Sequence, residues 1–162
     1  MRVYHGTTMI VEHPLVSVGR KNLDFGNGLY LTDLEEQAVL WDSRPINKGK
    51  GQFVNEYEFD IDAALNGEFR YLKFDAYNLD WLNFVVSNRK GGNEWTQYDI
   101  IEGGIANDRV FNTIELYSDG LISDKEALQR LIYEKPNNQI CLLNQTIIDR
   151  HIRFIQAKEL QI

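Results

Sequence analysis

The chain has 162 residues, 43% of them apolar and 25% charged, with one cysteine and three prolines. That length and composition predict one domain over residues 1–162 with its own core, and exclude a disordered, collagenous or disulfide-stapled chain. Twenty-four acidic against 17 basic residues give a net charge of −7, which argues against a duplex binder held by phosphate contacts. No apolar run reaches the roughly 18 residues of a membrane span. Met1-Arg2-Val3-Tyr4-His5 lacks the apolar stretch of a signal peptide. The expectation is a cytoplasmic protein without a membrane segment.

In chain order, residues 2–6 predict a short strand ending at His5-Gly6, and residues 14–27, with Pro14, Gly19 and Gly26, predict a loop. Residues 28–32 predict a strand. Thr32-x-x-Glu35 has the spacing of a capping box, and Leu34, Ala38 and Trp41 follow at helical spacing until Pro45. Residues 52–60 alternate as a half-buried strand, and 69–74 predict another. Asp80 is a candidate cap for a helix through Trp81, Phe84 and Val85 that frays at Ser87-Asn88-Arg89. Residues 98–102 predict a strand, and 107–119 a helix closed by Gly120. Ser123-x-x-Glu126 opens a further helix, and 139–143 and 152–156 predict the last strands. The mixture without strict alternation predicts an α+β fold with a largely antiparallel or split sheet.

Motifs for a P-loop, a dinucleotide fold, a zinc protease and a serine nucleophile elbow are absent from the sequence. His5, His13 and His151 lack metal-ligand spacing, so no metal is expected. Cys141, inside an apolar run, reads as an inert core thiol. His5 is different. It closes a strand and precedes Gly6-Thr7-Thr8, where a bare backbone and hydroxyls can meet a ligand. Tyr30, between glycines and a strand, can offer a ring to a flat ligand, with Asp24 and Phe25 just upstream. Asn107 and Asp108 suit a helix start, whereas Arg109 in the first turn opposes the helix dipole and invites another role.

His5-Gly6-Thr7 followed by Gly28-Leu29-Tyr30-Leu31-Thr32 resembles the first two signature segments of the ADP-ribosyltransferase superfamily. The third segment resembles Asn138-Gln139-Ile140-Cys141-Leu142, with Gln139 where the superfamily usually has Glu. Asp24-to-Thr32, Asn88-Arg89 and Ala106-to-Arg109 extend the likeness to a compact bacterial family of unknown function within that superfamily, from Tyr4 to about Leu160. The resemblance implies a split antiparallel sheet and NAD as substrate. It implies a ribose contact from His5, a carboxamide clamp from Gly6 with Thr7 beside it, and stacking by Tyr30. Further NAD contacts are implied for Asp24, Phe25, Arg89, Asn107, Asp108 and Arg109, the arginines being candidates for the pyrophosphate. A neutral Gln139 gives up the attraction between a carboxylate and a developing oxocarbenium ion. That points to mono-transfer, to an acceptor with its own reactive group, or to NAD binding or hydrolysis alone. Glu102, before Gly103-Gly104, is the substitute carboxylate if Gln139 is not catalytic. The acceptor expected is a protein, nucleic acid or small molecule, and a toxin-like role with a small antitoxin-like neighbour is implied. An RNA 2′-phosphotransferase relative fits less well, because only Arg89 and Arg109 stand as basic candidates.

Overall fold

The structure, a computed structural model, describes residues 1–161; Ile162 lies outside the described residues. Among the described residues seven strands form two sheets. The first has the order β1 (Arg2–Thr7), β3 (Phe53–Phe59), β7 (Ile152–Glu159), and both its pairings are antiparallel. The second has the order β2 (Leu29–Leu31), β6 (Asn138–Leu142), β5 (Ile100–Gly104), β4 (Tyr71–Lys73). Only β4–β5 is parallel in it. The α+β class and the largely antiparallel, divided sheet therefore match the expectation. Among the described residues one backbone bridge links the two sheets: Tyr4 N–H donates to Thr32 O at 2.8 Å and Thr32 N–H to Tyr4 O at 3.0 Å.

Strand alternation divides the core in two. Val3, Tyr57 and Phe59 of the first sheet pack on Leu29, Leu31, Ile100, Ile140 and Leu142 of the second, with Ala64, Ile147 and Ile148 closing this layer. The opposite face of the second sheet, through Ile101 and Cys141, packs on Phe25, Trp81, Phe84, Val110, Ile114 and Leu131. These come largely from α3 (Leu79–Arg89), α4 (Asp108–Ser118) and α5 (Asp124–Leu131). Each fully buried side chain of this size contributes roughly 1.5–3 kcal/mol. Cys141 is buried as expected, and its desolvated thiol is pushed well above the usual range.

Helix α1 (Glu35–Asp42) returns from β2 to cover β1. Its approach dictates a glycine: a Cβ on Gly6 would lie 1.9 Å from the Ala38 carbonyl oxygen. Gly26 is required twice over, by φ +93° and by the Trp95 ring 2.3 Å from where its Cβ would stand.

Several local expectations give way to tertiary partners. Thr32 forms no capping box. Its Oγ1 accepts from Leu34 N–H at 3.1 Å and donates to Asn138 O at 3.0 Å, and Leu34 itself is exposed. Helix α3 is capped by Asn78, whose Oδ1 accepts from Trp81 N–H at 2.9 Å, and not by Asp80. It does not fray at Ser87, because Asn88 and Arg89 in its last turn are both bonded to Asp24. Strand β5 runs two residues beyond its expected end, through Gly103 and Gly104. Helices α2 (Ile61–Leu65) and α6 (Gln145–His151) were not anticipated. Among the described residues, no helix is long and apolar enough to cross a membrane.

Replacing Asn78 by Ala is expected to cost about 0.5–2 kcal/mol, and Asp80→Ala no more than a few tenths. Denaturant midpoints of the two variants check the cap assignment; equal losses contradict it.

Candidate functional site

The Tyr4–Thr32 bridge sets His5 beside Tyr30. His5 Nδ1 lies 2.8 Å from the Tyr30 carbonyl oxygen. A carbonyl only accepts, so Nδ1 carries the proton and the neutral ring keeps a lone pair on Nε2. Burial pulls the His5 imidazole below its ordinary value, and the hydrogen bond to Tyr30 opposes this only in part. Nε2 has no hydrogen-bond partner among the described residues, which leaves an acceptor suited to a hydroxyl. Thr7, on the same strand and half-buried, also keeps its hydroxyl unengaged there.

Gly6 follows from the same bridge. Tyr4 spends its amide and carbonyl on Thr32, so the alternation of an antiparallel strand turns the Gly6 amide and carbonyl to that same edge. Beyond the bridge β2 no longer pairs with β1. The Gly6 donor and acceptor thus face the split between the sheets.

Tyr30 uses its hydroxyl locally. It donates to Gly26 O at 2.7 Å and accepts from Phe25 N–H at 2.9 Å, folding the 24–28 turn back on β2. Burial raises its phenol well above the ordinary range. Cross-strand register places Tyr30 opposite Cys141 on β6, and Ile101 of β5 opposite Cys141 from the other side. Gln139, two residues from Cys141, shares that face and is buried. Its Nε2 donates to Gly104 O at 3.3 Å. Glu102 lies on the opposite face of the sheet, bound by Tyr71 Oη at 2.5 Å and Asn138 Nδ2 at 2.9 Å. A substitute carboxylate at Glu102 is ruled out by this parity.

Other anticipated contacts have structural employment. Phe25 is fully buried against Phe74 and Phe84, so its ring is core and not ligand surface. Asp24 and Arg89 are bonded to each other at 2.6 Å. The Arg89 guanidinium also lies over the Phe111 ring at 4.8 Å. Asn107 caps α4, its Oδ1 accepting from Val110 N–H at 3.1 Å. Asp108 and Arg109 sit exposed in that first turn and make no ion pair among the described residues. Two cavities of about 400 Å³ lie elsewhere, one along α5 and one between residues 12–15, α6 and β7.

Sequence reasoning missed Asn55. It is fully buried opposite His5 on β3. Its Oδ1 accepts from Val11 N–H at 2.8 Å and its Nδ2 donates to Met9 O at 3.1 Å, which ties the 9–11 segment over the end of β1. The signal was an amide at the parity of Phe53, Tyr57 and Phe59 on the apolar face of an alternating strand.

A histidine kept neutral by burial leaves a signature. The unfolded chain binds a proton near pH 6.5 that the folded chain refuses. His5 therefore contributes stability that is present above that pH and is lost as pH falls through it toward the depressed folded value. Wild type is expected to lose more stability than His5→Gln between pH 7.5 and 5.5, by about 1.4 kcal/mol per unit of depression. Parallel losses in urea melts contradict the assignment.

No curated protein and no solved structure matches the chain significantly. A family model described as a protein of unknown function (DUF3990) matches residues 1–154. On that match over most of its length, the chain belongs to the DUF3990 family.

Proposed function

We propose that the protein is an NAD-dependent mono-ADP-ribosyltransferase, built on an ADP-ribosyltransferase-like split sheet. The observation that carries the reading is the His5–Tyr30 contact across the sheet division: a neutral histidine with a bare Nε2, next to the outward-facing Gly6 amide and carbonyl.

Each piece supports one requirement of the chemistry. Nε2 accepts from a hydroxyl of the nicotinamide ribose. The Gly6 carbonyl and N–H answer the amide and carbonyl of the carboxamide, a paired donor–acceptor contact that fixes the ring. The Tyr30 hydroxyl is occupied by the 24–28 turn, so Tyr30 serves through its ring and by holding that turn. In the reaction the bond between ribose C1′ and the nicotinamide nitrogen breaks. Nicotinamide leaves with the bonding pair as a neutral molecule. The acceptor nucleophile bonds to C1′ and its proton passes to solvent. Gln139 supplies no negative charge to the oxocarbenium-like transition state. A low intrinsic rate follows, and an acceptor that brings its own nucleophile.

One observation favours a second reading, a module that binds NAD or ADP-ribose without turnover: the Gln139 amide is already bonded to Gly104. Labelled NAD separates the two. Label carried to a macromolecule or small acceptor supports transfer, release of nicotinamide alone supports hydrolysis, and saturable binding without release supports the module. His5→Ala is expected to lower nicotinamide release, or NAD affinity, roughly 5- to 150-fold, the effect of losing one hydrogen bond of about 1–3 kcal/mol. Unchanged affinity and turnover in a folded His5→Ala protein remove the assignment.

Gln139→Glu gives a sharper test of position. A carboxylate there would oppose the Gly104 carbonyl where the amide now donates. The new group is driven toward its neutral form, with its pKa raised in the folded state. The variant is expected to lose about 1–3 kcal/mol at neutral pH. The loss shrinks as pH falls toward the unfolded carboxyl value, because the protonated acid can donate to Gly104. A pH-independent stability difference places the side chain elsewhere.

A further inference from the structure

The negative charge of the chain is unevenly spread. Residues 13–23 and 43–55 contain no Asp or Glu, yet carry Arg20, Lys21, Arg44, Lys48 and Lys50, five of the 17 basic residues. None of these five side chains makes an ion pair or hydrogen bond among the described residues, whereas Arg2, Arg70, Arg89 and Lys158 all pair with carboxylates.

The fold brings both segments to the split between the sheets. A Cβ on Gly19 would stand 2.8 Å from Gly28 O, so Arg20 follows a residue packed against the entry to β2. The Cβ of Asp42, two residues before Arg44, lies 3.2 Å from where a Cβ on Gly6 would stand, and a Cβ on Gly51 would lie 3.1 Å from Thr8 O. The 43–52 segment therefore flanks the end of β1, while residues 19–28 flank the start of β2. Arg20 and Arg44, both exposed, therefore stand on segments that flank one rim from opposite sides. Burial first, and then the like charge of Arg20, pull the Arg44 guanidinium below its ordinary value, while Asp24 acts in the other direction. Asp24 cannot neutralise the pair by itself, being bonded to Arg89 at 2.6 Å.

Two guanidinium groups that repel each other beside a protein of net charge −7 are stabilised by an anion between them. Each presents a planar fork that matches a phosphoryl group bidentately. Two forks from two loops suit an anion whose charge is spread over two linked phosphoryl groups better than a single carboxylate. We propose that Arg20 and Arg44 form a binding site for a diphosphate group at the rim of the sheet division. The identification of that group as the diphosphate of NAD rests on the functional reading above; the anion site itself does not.

The test is calorimetric titration of the full chain with inorganic pyrophosphate, ADP-ribose and nicotinamide riboside, which shares the nicotinamide ribose but has no phosphate. Arg20→Gln and Arg44→Gln are compared with wild type, and with Arg130→Gln on the exposed side of α5 as a charge control. Both phosphate ligands are expected to bind wild type and Arg130→Gln alike, and to lose about tenfold in affinity in each of the other variants, the effect of one charge-assisted contact. Arg44→Lys keeps the charge but loses the fork and is expected to fall between. Failure of pyrophosphate and ADP-ribose to saturate wild type at millimolar concentration overturns the site, as does equal binding by the Arg20→Gln/Arg44→Gln double variant. Pyrophosphate binding that depends on both arginines, without any NAD binding or cleavage, supports the site and removes the NAD reading. NAD cleavage undiminished in the double variant supports the NAD reading and overturns the assignment of its diphosphate to this rim.

Discussion

Two backbone hydrogen bonds between Tyr4 and Thr32 hold the architecture in its working form. With them, β1 spends one edge on β3 and a single residue of the other edge on β2. The sheets are joined and immediately diverge. Everything proposed for the site uses that divergence: His5 reaches the Tyr30 carbonyl, the Gly6 amide and carbonyl turn outward, and α1 leaves β2 in time to fold back over Gly6. A longer β1–β2 ladder would satisfy Gly6 internally and close the split.

The residues of the site were legible in sequence where chemistry and position coincide. A histidine at a strand end before Gly-Thr, and a tyrosine in a glycine-flanked strand, are local patterns, and the fold does bring those two segments side by side. What escaped was decided by parity, pairing or length. Glu102 and Gln139 come from neighbouring strands, and only the register Gly103 to Gln139 reveals that they face opposite layers. Arg89 looked available because its partner Asp24 is 65 residues away in the chain. Phe25 looked like an offered ring because nothing local announces Phe74 and Phe84 around it. Helices α2 and α6 have five and seven residues, too few for helical periodicity to rise above noise. Asn78 and Asp80 are both good cap residues, and the choice between them falls to where Trp81 must be buried.

Electrostatics separates the cations into two kinds. Those that close the fold are met by carboxylates: Arg2 by Glu56, Arg70 by Asp99, Arg89 by Asp24. The Asp24–Arg89 pair is the most enclosed of these and fastens the loop before β2 to the end of α3. Arg20 and Arg44, flanking the split, have no such counterpart among the described residues. On a chain of net charge −7, a cluster of unpaired cations is where an anion would be drawn.

The strand order also sets when this arrangement can exist. β2 pairs with β6, more than a hundred residues later, and β3 pairs with β7. Contacts of such long range cost loop-closure entropy before they return any stabilisation, which slows folding relative to a chain of local contacts. During synthesis, β2 waits without its ladder partner until residues 138–142 have left the ribosome. His5 and Tyr30 are among the first residues made, yet the face that Tyr30 shares with Gln139 is among the last assembled. A nascent chain arrested before β6 therefore lacks the strand that β2 pairs with, and the order of synthesis delays the meeting of Tyr30 and Gln139.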